Sequence, residues 1–136
     1  MATLAAATSD AYKQQSILTA PPGRLVVMLY DGCIRFLFQS AYAMREGNRK
    51  TSLERMRKAE AIIDELRATL DHEKGGEIAG NLSAIYGFSR SHLLKAWSEQ
   101  DADKIDEVSR LIGELRDAWA QIAGHEVAPS EAVTSR

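Results

Sequence analysis

Apolar side chains recur at helical spacing through most of this chain. From Met56 they return at Ala59, Ile63, Leu66 and Leu70, and from Ile105 at Val108, Ile112, Leu115, Trp119 and Ile122. Steps of three and four residues put a stripe on one side of an α-helix, the side that packs on other helices. No segment alternates apolar and polar residues for long enough to predict a strand.

Breaks in the pattern divide it into four helices. The first runs from about Pro22 to Glu46. A proline suits its opening turn, where the missing N–H would have had no partner. Gly47-Asn48 closes it. Thr51-Ser-Leu-Glu54 has the spacing of a capping box, and the second helix continues from there to about Leu70. Asp71 to Gly76 interrupts the stripe, with Gly75-Gly76 free to take positive φ. The third helix, Glu77 to Ser98, is expected to be buried through Ile78, Leu82, Ile85, Leu93 and Ala96. Asp101 is placed to cap the fourth, which Gly124 is expected to end.

Helices of about 20 residues with short loops predict antiparallel neighbours and a bundle roughly 30 Å long. The expected fold is therefore all-α: an antiparallel four-helix bundle over residues 22–123, with an N-terminal arm (1–21) and a disordered C-terminal tail (124–136) that has nothing to bury.

Composition narrows the function. The chain has 136 residues, 45% hydrophobic and 26% charged, which suits one domain with a real core. With 17 basic and 19 acidic residues the net charge is −2, so no electrostatic footprint for nucleic acid or an anionic membrane is present. No stretch reaches the ~20 apolar residues of a membrane span, and the N-terminus lacks the basic and apolar regions of a signal peptide. The single cysteine, Cys33, forbids an internal disulfide and points to a reducing, cytosolic setting.

Candidate chemistry is sparse. The residues three before His72, His92 and His125 are Thr69, Ser89 and Ile122, so the Glu-x-x-His pairs of a di-iron bundle are missing. No metal and no cofactor is expected, and no enzymatic activity. Cys33 sits in an apolar arc without a basic neighbour and reads as a small buried hydrophobe. His92-Leu-Leu-Lys95 resembles the core of histidine phosphotransfer domains, in which an exposed histidine takes a phosphoryl group steadied by the lysine. The other reading of His92 is a histidine at the border of the apolar stripe, satisfied by a neighbour.

Three features exceed what a bundle needs. Apolar residues of the first helix sweep roughly 240° of its circumference, against the ~100° stripe of an ordinary surface helix. Val27, Ile34 and Phe38 lie on the far edge from Leu25, Leu29 and Phe36, which calls for something beyond one core to cover them. On the third helix Gly80, Ala84, Gly87 and Ser91 line one face. An interior glycine costs a helix about 1 kcal/mol relative to alanine, so this face is either a trough for another helix or a plain solvent-facing or bundle-facing side. Tyr12, Ile17 and Leu18 are large apolar groups in the arm, which either folds back as a removable lid or packs permanently.

The order of residues also carries a resemblance. Tyr12, then Ile17-Leu-Thr-Ala20, a proline turn and Leu25-Val-Val-Met-Leu-Tyr-Asp-Gly32 resemble the opening of the flagellin-specific export chaperones, the FliS family. Lys58-Ala-Glu60, Ile62-Ile63-x-Glu65-Leu66, Leu70-Asp71, Gly75-Gly-Glu-Ile-Ala79, Asn81-Leu82, Tyr86, Glu107-Val108 and Leu115-Arg116-x-Ala118-Trp119 follow at compatible spacing. The pattern departs from the family at Pro21 and at Gly87. The resemblance implies a cytosolic chaperone that binds the disordered C-terminal segment of flagellin, prevents its premature polymerisation and passes it to the gate of the flagellar type III export apparatus. It further implies an arm of Tyr12, Ile17 and Leu18 displaced by the ligand. Apolar contacts would come from Leu25, Leu29, Ile34 and Phe38, and a third-helix groove from Ile78, Leu82, Ala84, Tyr86 and Gly87, with Asn81 beside it either bonding the ligand backbone or capping a neighbouring loop. A homodimer using the surplus face of the first helix is the structural alternative.

Overall fold

The computed structural model describes residues 22–135, with side chains from Gly23 to Ile122. It contains four helices: α1 (Pro22–Arg45), α2 (Arg49–Ala68), α3 (His72–Glu99) and α4 (Ala102–Ser135). Connections of two or three residues reverse the chain each time, giving the antiparallel bundle that the periodicity predicts. Among the described residues, α1 packs against α2 and α4, and α3 against the same two helices with thinner contact. The pairs α1/α3 and α2/α4 therefore lie across the diagonals. No described helix is long and apolar enough to cross a membrane.

The ends of the helices follow local chemistry. Gly47, at φ 78°, turns α1 off, and Asn48 N–H then donates to the Ala43 carbonyl at 2.8 Å. Asn48 also caps α2, its side chain accepting from Thr51 N–H at 3.1 Å. Thr51 is thus the third residue inside the helix, so the capping-box reading is corrected. A better cap three residues upstream lets the helix start earlier. Asp71 caps α3 by accepting from the N–H groups of Glu73 and Lys74. The break expected around Gly75-Gly76 survives as a kink at Gly76 (φ 51°, ψ −123°), a conformation that a side chain resists. Gln100 ends α3 in the left-handed region, and Asp101 caps α4 through Asp103 N–H at 3.0 Å, as expected.

One boundary differs. The helical path of α4 continues through Gly124 and Pro129 to Ser135. A glycine costs a helix only about 1 kcal/mol and does not end one unless it adopts positive φ.

The core is built from the predicted stripes. Tyr30, Cys33 and Leu37 of α1 meet Met56, Ala59 and Ile63 of α2, Leu93 and Ala96 of α3, and Ile105, Val108 and Ile112 of α4. Burying a large aliphatic or aromatic side chain among these stabilises by about 1.5–3 kcal/mol. At the centre the hydroxyls of Tyr30 and Tyr86 meet at 2.5 Å, joining α1 to α3 across the diagonal. Burial, seconded by this contact, pushes the Tyr30 phenol far above its ordinary value, and burial likewise raises Tyr86. Cys33 is buried as expected, which pushes its thiol up to about 12. Between α1 and α2, Ser40 Oγ donates to the Ser52 carbonyl at 2.8 Å and Ser52 Oγ to the Ser40 carbonyl at 2.9 Å. These two serines occupy positions where larger side chains would hold the helices apart.

The wide apolar arc of α1 is explained by its position between two neighbours. Leu29 and Phe36 on one edge and Ile34 on the other all pack against the core cluster. One core thus takes part of both edges, while Phe38 on the far edge stays outside it, so part of the surplus expected of this helix remains. Only Phe38 and Tyr42 are left exposed on this helix among its large apolar residues.

Candidate partner-binding surface

The predicted site residues do not share one environment. Leu25, Leu29 and Ile34 are half-buried on α1. Leu82 and Tyr86 belong to the core, at 8% and 2% exposure, so they support a surface instead of lining one. Ile78, expected to be buried, is 69% exposed, because it follows the Gly76 kink at the end of the bundle where little packs over α3. Tyr12, Ile17 and Leu18 lie outside the described residues.

The small-residue face of α3 is open. Gly80, Ala84 and Ser91 are exposed, Asn81 stands beside them exposed, and a Cβ built on Gly80 would meet nothing within 4 Å. Gly87 is half-buried for a specific reason: the Arg67 guanidinium from α2 lies across it, 3.2 Å from where a Cβ would stand. Arg67 is held there by donating from Nε to Ser83 Oγ at 3.0 Å. The trough is therefore a shelf of backbone and small side chains, bounded on the α2 side by an arginine.

Large apolar groups flank this shelf. Leu94 is 68% exposed and Phe88 54% exposed. At 100° per residue these two lie on opposite sides of the Gly80–Ala84–Ser91 line. Sequence reading missed both, although the same helical wheel that placed the small residues would have shown two large apolar groups away from the Leu82–Leu93 stripe. Leu94 also lines a groove of about 640 Å³ between α2 and α3, with Leu53, Met56 and Trp97 supplying further apolar wall.

Charge closes the floor of that groove. Arg90 donates to Glu60 Oε2 at 2.8 Å and to Asp64 Oδ1 at 2.9 Å, a clamp between α3 and α2. Glu60 is shifted upward from the usual carboxylate range because burial outweighs the attraction of Arg90. At the rim, Arg49 lies 5.1 Å over the Trp97 ring. None of these partnerships was visible in the sequence, since each joins residues 26 or more positions apart in separate helices.

His92 is accounted for by its neighbours. Its Nε2 lies 2.5 Å from Glu107 Oε1, and its ring stacks on Phe88 with centroids 5.0 Å apart. A carboxylate at that nitrogen opposes an incoming phosphoryl group, where a cation would be needed. The geometry favours the border-histidine reading over phosphotransfer. No group of three or more His, Cys, Asp or Glu suited to a metal occurs among the described residues.

The molecule thus presents a shelf, exposed apolar flanks and a charged clamp between α2 and α3. The sequence model of the family described as Flagellar protein FliS matches residues 4–126. The chain belongs to that family. It is 39% identical over 111 residues to the flagellar secretion chaperone FliS of Salmonella typhimurium, covering 81% of this chain and 82% of that protein. Identity to the flagellar secretion chaperone FliS of Bacillus subtilis is 35%, with 82% of each chain covered. The Campylobacter jejuni protein of the same name is 34% identical over 86% of this chain and 91% of its own. Membership in the FliS family supports a flagellar export chaperone role and flagellar proteins as partners. The half-buried side chains of α1, the shelf of α3 and the groove beside it are where that role can be sought.

Proposed function

We propose that the protein is a cytosolic, non-catalytic export chaperone. It would hold the C-terminal segment of flagellin in an unpolymerised state and hand it to the gate of the flagellar type III export apparatus. The observation that carries this reading is the outward face of α3, where Gly80, Ala84 and Ser91 form a shelf between exposed Phe88 and Leu94. An amphipathic helix laid on such a shelf brings its backbone close and buries its apolar side on both flanks, a recurring mode of peptide recognition.

Phe88 on one side and Leu94 on the other would take apolar anchors, with Ala84 and Gly87 setting the closeness of approach. Asn81 is free to hydrogen-bond the ligand backbone. Leu82 and Tyr86 would act from beneath, fixing α3 in place. Leu25, Leu29 and Ile34 retain exposed fractions that an extended chain could cover along α1. A ligand that folds on binding loses ordering entropy from its gross contact energy, so a large interface with moderate affinity is expected, and release requires no reaction.

The test is calorimetric titration of the full chain with the C-terminal segment of flagellin from the same organism. Saturable one-to-one binding with a negative heat-capacity change is expected. Absence of binding to a chain shown to be folded, with residues 1–21 removed as a control for occlusion, would overturn the assignment.

A further inference from the structure

Phe38 and Tyr42 are the two large apolar residues of α1 that the bundle leaves uncovered, at 67% and 61% exposure. Four residues apart, they share one face of the helix. With Gln39 on α1, and with Thr51 and Arg55 on α2, they line a groove of about 310 Å³. It lies along α1 and α2, whereas the shelf is on α3, which α1 meets only across the bundle diagonal.

The cations around this groove are uncommitted. Arg35 lies one turn before Phe38, Arg55 lines the groove, and Lys58 follows Arg55 by one turn. None of the three takes part in an ion pair among the described residues. By contrast Arg45, Arg90 and Arg116 all hold carboxylates. Arg35 and Lys58 instead stand over the Phe36 ring, at 5.6 and 5.8 Å from its centroid. The groove lining contains one carboxylate, Glu46 at its end.

We propose that the α1–α2 groove is a second docking surface, which takes an amphipathic protein helix carrying an acidic flank while the α3 surface holds the export substrate. Phe38 and Tyr42 receive the apolar stripe of that helix. Arg35, Arg55 and Lys58 meet its carboxylates. Charge complementarity of this kind sets partner choice and speeds encounter.

The test uses designed fluorescein-labelled helices of about 18 residues, enough for five turns. Leu and Phe stand at i, i+3, i+4 and i+7, with Glu on the flanks of one peptide and Lys on those of the other. Each is titrated into the full chain, alone and saturated with the flagellin segment. The acidic peptide is expected to bind in both cases, at least about tenfold more tightly than the basic one, and to shift the NMR resonances of Phe38, Tyr42 and Arg55. Phe38→Ser and Arg55→Glu are each expected to weaken it by about tenfold, while Arg110→Glu on α4 leaves it unchanged. Equal affinity for both peptides, or resonance shifts confined to α3, would overturn the proposal. Competition with the flagellin segment would assign the groove to that ligand instead. Self-association of the chain that Phe38→Ser abolishes would assign it to a second copy. The titration into the chain alone decides the matter even if the flagellin segment fails to bind.

Discussion

The Tyr30–Tyr86 contact offers a quantitative check on how α3 is seated. This helix has thinner contact with its neighbours than α1 has, yet it carries the shelf. Both hydroxyls are buried, with Tyr30 at 0% and Tyr86 at 2% exposure, and each finds the other at 2.5 Å. Tyr86→Phe keeps the ring packing and removes one oxygen, leaving the Tyr30 hydroxyl short of a partner. A buried polar group so orphaned costs about 1–3 kcal/mol. Tyr30→Phe should cost about as much, because it leaves the Tyr86 hydroxyl short of its partner in the same way. Removing both hydroxyls leaves neither orphaned, so the double variant should be destabilised by much less than the sum. The coupling is expected to be about 1 kcal/mol or more, within the range for contacting residues. Urea unfolding of the four proteins, followed by circular dichroism with unchanged m-values, measures it. Additive costs, with coupling near zero, would refute the claim that this contact ties α3 to the core.

Three further outcomes are expected. In the alkaline range stability should fall as pH rises past about 9. Burial keeps Cys33, near 12, and both tyrosines protonated in the fold while the unfolded chain ionises first, and each group contributes a slope of about 1.4 kcal/mol per pH unit. Cys33→Ala should flatten the first part of that decline in denaturant midpoints, and an unchanged profile would contradict it. Gly76→Ala should destabilise by about 1–3 kcal/mol, because its φ of 51° strains a side chain, whereas Gly80→Ala should stabilise by up to about 1 kcal/mol; thermal melts distinguish the two. Arg90→Met should raise the titration midpoint of Glu60 further, since it removes the main attraction opposing burial; carbon-detected NMR reads this, and a downward shift would refute the stated cause.

The parts of the molecule that sequence revealed are those written in local spacing. The Met56–Leu66 and Ile105–Ile112 stripes, Gly47 and the Asp101 cap needed only neighbours within a turn, and each appears as expected. Errors arose where two local signals competed, or where tertiary packing decided. Asn48 outcompeted Thr51 as a cap because both offer an oxygen, and only the incoming chain direction selects between them. Ile78 has the right residue type for burial but lies after a kink that carries it past the packed region. The sweep of α1 looked wider than a core could take because sequence gives no count of neighbours; two flanking helices bury much of it and leave Phe38 and Tyr42 outside.

The candidate surface was half legible. Gly80, Ala84, Gly87 and Ser91 stood out as small residues at regular spacing, and the structure leaves all but Gly87 open on one face. The Arg90 clamp on Glu60 and Asp64 and the seat of Arg67 on Gly87 were hidden, because charged residues at those positions are ordinary on any solvated helix. Leu82 and Tyr86 were expected to line the groove, and burial puts them in the core beneath it, a distinction that spacing alone does not make.

The central claim is that flagellin's C-terminal segment lies on the shelf of α3, and Ala84→Trp tests it most directly. Ala84 is exposed and contributes little to the core, so the variant should keep its helicity and unfolding midpoint while an indole fills the space a ligand helix needs. Calorimetric titration side by side with the unaltered chain is expected to show binding lost or weakened by about 100-fold, roughly 2.7 kcal/mol. Equal affinity in the two proteins would place the ligand elsewhere on the bundle and contradict the account.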